Sequence, residues 1–186
     1  MAYKIAILVG SLRKDSYNRK IARAICALRD DNLDCSMIEI GDLPLYNQDY
    51  DSAAEQPSQY VRFRDQISQA DGILFVSPEY NRGIPGVLKN AIDVGSRPSG
   101  QSSWAGGKPG AVISVSPGLI GGFGANHHLR QSLVFLNVIP MQQPEAYVSG
   151  ADKLFEGDQL VNPTTREFLT KYLHSFAEFI ERLAPA

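Results

Sequence analysis

Cysteine is scarce in this chain: 186 residues hold two, Cys26 and Cys35. One falls in a stretch of helical spacing and the other in a strand-like stretch. With no C-x-x-C and no histidine at zinc-ligand spacing, both read as core thiols rather than as metal ligands or a disulfide. An excess of one charge is also missing. The formal net charge is -2 with no long basic block, which argues against a general nucleic-acid partner. No segment approaches the roughly 20 apolar residues of a membrane span. The sequence enters its first strand without a signal-like apolar region, so a reducing cytoplasm is the expected compartment and no membrane partner is expected. Several signatures are absent as well. Neither G-x-G-x-x-G nor the P-loop ending G-K-[ST] follows the first strand, which disfavours a Rossmann dinucleotide site and an ATPase. No G-x-S-x-G elbow supports a hydrolase. Gly10-Ser11 and Ser77-Pro78 stand where a receiver domain would place its acidic residues, and the first loop lacks the cysteine nucleophile of a small tyrosine phosphatase.

What is present is ordinary for one globular domain, expected to span 1–186: 44% hydrophobic and 20% charged residues. Five apolar, β-rich runs alternate with five helical patterns. Strands are expected at Tyr3–Val9, Asp34–Ile40, Gly72–Ser77, Gly110–Val115 and Asn137–Met141. Helices are expected at Asn18–Leu28, Ser58–Gln69, Pro85–Val94, Asn126–Phe135 and Thr164–Leu183. The Gly/Ser-rich stretch from Gly95 to Lys108 reads as a loop within the domain, and Pro144 to Pro163 as an irregular region. Strict alternation with near-continuous apolar strands predicts an α/β fold, a three-layer sandwich around a five-stranded parallel sheet. The leading strand order is the flavodoxin-like 2-1-3-4-5.

In such a sheet, ligands bind beyond the carboxyl ends of the strands, near the point where strand order reverses. Three loops meet there: GSLRKDSYN after the first strand, SPEYNRGIPG after the third and SPGLIGGFGAN after the fourth. The first joins a strand end to a helix start. It offers hydroxyls from Ser11 and Ser16, the Arg13 guanidinium and the Asn18 amide, the donors an anion such as phosphate requires. Cations disfavour a helix N-terminus unless an anion compensates, so the cluster Arg13, Lys14, Arg19 and Lys20 points the same way. The second loop combines Tyr80, Asn81 and two stiffening prolines, suited to a planar heterocycle. Through Ser116, Gly118, Gly121 and Gly122 the third permits close backbone approach to a flat ligand. Phosphate at one end and a planar ring at the other describe a mononucleotide.

Each of these features also has a structural alternative. Glycine, serine and proline are what turns contain. Tyr80 could be a packing residue, Glu79 could cap the turn that follows it, and Trp104 could cover a ligand, an interface or neither. His127, His128 and His174 receive no role.

Gly10 to Asn18 together with PEYNRGIPGVLKNAIDVGSRP, Pro78 to Pro98, closely resembles the NAD(P)H-dependent FMN reductase family of flavodoxin-like proteins, and within it the bacterial quinone and chromate reductases. That resemblance, over essentially the whole chain, implies an FMN phosphate held by Ser11, Arg13, Ser16 and Asn18, with Leu12 and Tyr17 part of the same loop. It implies Pro78, Glu79, Tyr80 and Asn81 along the isoalloxazine, with Arg82 beside them, and a third contact at Ser116 and Gly118. It further implies NADH or NADPH as donor, quinones as acceptors with chromate, azo compounds or free flavin as alternatives, ping-pong hydride transfer, and a homodimer or homotetramer with flavin sites near the interface. Two positions depart from the family pattern. Gly83 stands where many relatives carry serine, and Arg82 places a cation near the expected mouth, where it would favour anionic acceptors or the phosphates of the nicotinamide donor. Because flavin carries the chemistry, no acid, base or nucleophile is singled out. The rival readings are a flavodoxin-like electron carrier that does not use NAD(P)H directly, and a nucleotide-sensing module that binds without turnover.

Overall fold

Burial on both faces of the first strand sets the architecture. In β1 (Tyr3–Val9) every residue from Ile5 onward is buried. Ile5, Ile7 and Val9 join one core, while Ala6 and Leu8 join a second on the opposite face. A strand apolar on both faces must be covered on both, and helices do so here. The computed structural model describes residues 2–28, 31–52, 54 and 56–184. The domain expected at 1–186 includes 1, 29, 30, 53, 55, 185 and 186, which lie outside the described residues.

After β1 the order is α1 (Tyr17–Leu28), β2 (Leu33–Ile38), α2 (Ser58–Ser68), β3 (Gly72–Ser77), α3 (Gly86–Gly95), β4 (Pro109–Val115) and α4 (Phe123–Phe135). Then come β5 (Ile139–Pro140), β6 (Ala146–Val148), a hairpin of β7 (Phe155–Glu156) and β8 (Gln159–Leu160), and α5 (Pro163–Leu183). The sheet runs β2-β1-β3-β4-β5, all neighbours parallel, with β6 also pairing β4. This is the expected order with a different fifth strand. α1 and α5 cover one face through Ile21, Ile25, Leu169, Tyr172, Phe176 and Ile180. α2, α3 and α4 cover the other through Tyr60, Phe63, Ile67, Leu88 and Leu129.

The fifth strand, expected at Asn137–Met141, is split into β5 and β6 along one edge of β4. Pro140 and Pro144 lack the N–H a ladder needs, so the chain leaves the edge and returns. Ala111 and Val112 fall in the gap between the two pieces. The buried Tyr172 hydroxyl fills it, accepting from Val112 N at 3.0 Å and donating to Val112 O at 3.1 Å. Asn126 Nδ2 reaches Ala146 O at 3.2 Å, and its Oδ1 accepts from Arg130 Nε at 2.9 Å. The stretch read as irregular, Pro144 to Pro163, therefore holds β6, β7 and β8. Trp104 is a core residue, fully buried, with its indole N–H donating to Ile92 O at 3.0 Å and its ring near Phe63 and Phe75. Cys26 and Cys35 are half-buried against the core and form no disulfide; burial pushes the Cys26 thiol up.

Candidate functional site

Three connections leave the carboxyl ends of β1, β3 and β4, neighbours in the sheet, so the three loops stand side by side at one edge. Close contact joins the first two. Gly10 N donates to Val76 O at 2.9 Å, and a Cβ at Gly10 would lie 2.9 Å from Pro85 Cγ and 3.1 Å from Pro78 Cδ. Glycine is required here because the two loops pass closer than a side chain allows.

In the first loop Ser11, Ser16 and Asn18 are buried although polar. Ser16 is the cap of α1: its Oγ accepts from Arg19 N at 3.2 Å. That bond satisfies one of the free N–H groups of the first turn. The same turn holds no acidic residue. Asn18 Oδ1 is buried without a hydrogen-bond partner. Two buried hydroxyls and a buried amide at a helix N-terminus supply O–H and N–H donors of the kind an anion takes, while the unmet Asn18 oxygen, an acceptor, calls for a donor instead. Arg13 is exposed, with its guanidinium carbon 5.9 Å from the Tyr17 ring centre. Leu12 leans over Gly41 in the β2–α2 connection, a contact with no sequence signal. The cation cluster divides. Lys20 lies 3.3 Å from Asp158 of the hairpin, so its charge is met from within the chain; among the described residues Arg13, Lys14 and Arg19 have no carboxylate partner.

The second loop is a tight turn. Tyr80 N donates to Gly83 O at 3.1 Å and Gly83 N to Tyr80 O at 3.0 Å, with Asn81 and Arg82 at φ of +52° and +64°. Two positive φ values at the centre of such a turn are those of type I′, and a non-glycine there is strained. Pro78 is buried, whereas Tyr80 is 48% exposed at the rim. Glu79 does not cap the turn that follows it. Its Oε2 accepts from Ala125 N in the first turn of α4 at 3.0 Å, and its Oε1 meets Arg82 Nη1 at 3.2 Å. The Arg82 cation is thus partly cancelled. Gly83 packs against His128, whose Nδ1 would stand 3.0 Å from a Cβ at that position.

Ser116 anchors the third loop by donating its N–H to Val148 O at 3.0 Å, while its Oγ accepts from Gly118 N at 3.0 Å. Gly121 and Gly122 have φ of +57° and +77° and lie against Tyr147 and Ser114. Phe123, His127 and Tyr147 form an aromatic cluster beside them, with His127 Nε2 3.0 Å from the Tyr147 hydroxyl. Burial, and then the Glu145 carboxylate, push that phenol up to about 12. Donors for a phosphate, a rigid turn and a glycine floor therefore share one edge of the sheet. All thirteen residues expected at the site fall on these loops or at the helix start between them.

A family model described as NADPH-dependent FMN reductase matches residues 3–153. The chain belongs to that family. Relatives of this reductase chain include a quinone reductase of Pseudomonas putida, 58% identical over 96% of this chain and 95% of the relative. A 2-hydroxy-1,4-benzoquinone reductase of a Burkholderia species is 45% identical over 97% of each. Among solved structures, the flavoenzyme NAD(P)H:(acceptor) oxidoreductase FerB of Paracoccus denitrificans superposes with a TM-score of 0.89 at 39% identity, over 97% of this chain and 98% of FerB. Among the described residues no helix of this reductase is long and apolar enough to cross a membrane, and no group of three metal-ligating side chains occurs.

Proposed function

We propose that this chain is an FMN-dependent NAD(P)H oxidoreductase that reduces quinones, with chromate and other small acceptors as further substrates. The observation that carries the reading is the donor-rich start of α1: Ser11, Ser16 and Asn18 buried there although polar, with Arg13 lacking a carboxylate partner among the described residues. Ser11, Arg13, Ser16 and Asn18 would hold the FMN phosphate. Pro78 to Asn81 would line one side of the ring, with Ser116 and Gly118 on another. When bound, FMN would supply two-electron redox chemistry between NADH or NADPH and the acceptor. The protein's own work is to orient and to exclude. Buried Pro78 and the double-positive-φ turn stiffen one wall, and the ion-paired Glu79 fixes that wall to α4. No side chain is assigned a proton-transfer role.

A homodimer or homotetramer accompanies this reading. Leu119 at 95% exposure, Ile120, Phe123 and Tyr80 are large side chains open to solvent on the same loops, and a second copy would cover them. Sedimentation analysis at micromolar concentration tests it. For the activity, initial rates with NADH and benzoquinone varied together should give parallel double-reciprocal lines, as donor and acceptor take turns in one pocket. Absence of NAD(P)H oxidation by a flavin-loaded chain would move the assignment to an electron carrier.

A further inference from the structure

Arg13 stands in the phosphate loop as a long side chain without a carboxylate partner among the described residues, so something else must restrict it. The contact it makes is with Tyr17, the first residue of α1, 5.9 Å from guanidinium carbon to ring centre. That separation is within the range of a cation–π interaction. Tyr17 is itself held. Its ring stacks on Phe155 at 6.4 Å between centres and 18° between planes.

Phe155 opens the β7–β8 hairpin, a ribbon outside the main sheet that pairs only Phe155 with Leu160 and Glu156 with Gln159. Gly157 takes φ of +59° at the first central position of its two-residue turn, a conformation glycine supplies at least cost. So short a ribbon has little stability of its own. It is fastened at both ends. Leu154 and Leu160 are buried in the core beside α1. At the tip Asp158 meets Lys20 at 3.3 Å and Arg23 at 2.8 Å. These two cations are three residues apart on α1 and so share one face. Lys20 Nζ also donates to the Gly157 carbonyl and lies 5.8 Å from the Phe155 ring centre.

We infer that the Phe155–Leu160 hairpin is a positioning element for the phosphate end of the flavin: Asp158 fastens it to α1, Phe155 fixes the Tyr17 ring, and that ring holds the Arg13 guanidinium. Phe155 and Asp158 lie outside the set of residues expected to hold the ligand and act through Tyr17. The inference rests on the phosphate reading of the first loop and adds a determinant far downstream, beyond the residues 3–153 that the family model matches. Its consequence is selective. Hairpin changes should alter how well the chain distinguishes FMN from riboflavin, which lacks the phosphate, and leave affinity for the shared ring untouched.

The test is flavin release from the full-length chain loaded with FMN or with riboflavin, read as the rise of flavin fluorescence on serial dilution. Phe155→Leu should lower the preference for FMN over riboflavin roughly three- to tenfold, the scale of an exposed cation–π contact and its dependent charge contact. Riboflavin release should be unchanged, and Phe155→Tyr should restore the wild-type ratio. Asp158→Asn, at an exposed position, should lower the ratio by a smaller factor. In an Arg13→Gln background, Phe155→Leu should have no further effect on the ratio. Equal weakening of both flavins, or a loss that persists without Arg13, would overturn the inference and reduce the hairpin to a structural part. If Phe155→Leu does not fold, an unchanged ratio in Asp158→Asn overturns it alone. A wild-type chain that holds riboflavin as tightly as FMN would contradict the phosphate reading itself; a preference for FMN that survives every hairpin variant contradicts only the positioning role.

Discussion

The Glu79 carboxylate, in the loop after β3, accepts a hydrogen bond at 3.0 Å from the backbone N–H of Ala125 in the first turn of α4. That helix begins after Gly122, which offers no side-chain cap, and its first turn contains no acid. Glu79 therefore supplies from another loop what the local sequence lacks, an anion and an acceptor at the positive end of a helix. Replacing it with alanine should cost about 1–2 kcal/mol, read as a lower urea midpoint at unchanged slope. Glu79→Gln should retain part of that stability, since the amide oxygen still accepts.

Two glycines should respond in opposite directions to alanine. Gly121 has φ of +57°, and a Cβ there would stand 2.7 Å from the backbone carbon of Tyr147. Gly121→Ala should destabilise by about 2 kcal/mol or more, combining a strained conformation with a clash against backbone. Gly86 begins α3, and a Cβ there would meet nothing within 4 Å. Gly86→Ala should stabilise by about 0.4–1 kcal/mol by restricting the unfolded chain. Thermal midpoints of the two variants check both signs.

Alkaline pH should weaken the fold through two tyrosines. In an unfolded chain both phenols lose their protons near 10, whereas the folded chain holds Tyr147 up to about 12 and fully buried Tyr172 higher still. Between these values the folded state binds more protons, so stability is intact below pH 10 and falls as pH rises. Tyr172 accepts from the buried Val112 N–H. Tyr172→Phe should therefore lower stability at pH 7 by about 1–3 kcal/mol, because that donor is left without its acceptor. The same variant should show a shallower decline as pH rises above 10. Denaturant unfolding at several pH values measures both effects.

Arg82 projects from the turn at 75% side-chain exposure and is ion-paired with Glu79. We expect its residual field to favour anionic acceptors and the phosphates of the nicotinamide donor. Arg82→Ala should raise KM for NADPH or for an anionic acceptor by about two- to fivefold, the scale of one screened charge, with kcat for neutral benzoquinone unchanged. Identical kinetics for charged and neutral acceptors in wild type and variant would remove the role.

The parts of the fold that sequence pattern reveals are those made by local residues. β1 and β3 lie where their apolar runs predict, at Tyr3–Val9 and Gly72–Ser77, and the three loops follow from the strand order. What pattern does not reveal depends on distant partners. The three-residue β6 is too short for any periodicity, and the prolines that split the edge strand look from sequence like an ordinary loop. Trp104 in a glycine-rich stretch gives no sign of the slot that Gly95 opens for it. Lys20 resembles part of an anion site until Asp158 is seen beside it. At the site, Ser11, Ser16 and Asn18 are legible because a strand end, a helix start and polar residues between them occur in one short motif. Gly10 and Phe155 are not, since their importance lies in what passes close to them.

A flavin held by these three loops is expected to accept electrons from NAD(P)H and deliver them to a quinone. The most direct measurement is the anaerobic visible spectrum of the flavin-loaded protein, recorded before and after one equivalent of NADH or NADPH, and again after benzoquinone. Bleaching of the flavin band within seconds and its full return on adding the quinone is the predicted result. A band that persists with either nucleotide, or a chain that takes up no FMN, would contradict it.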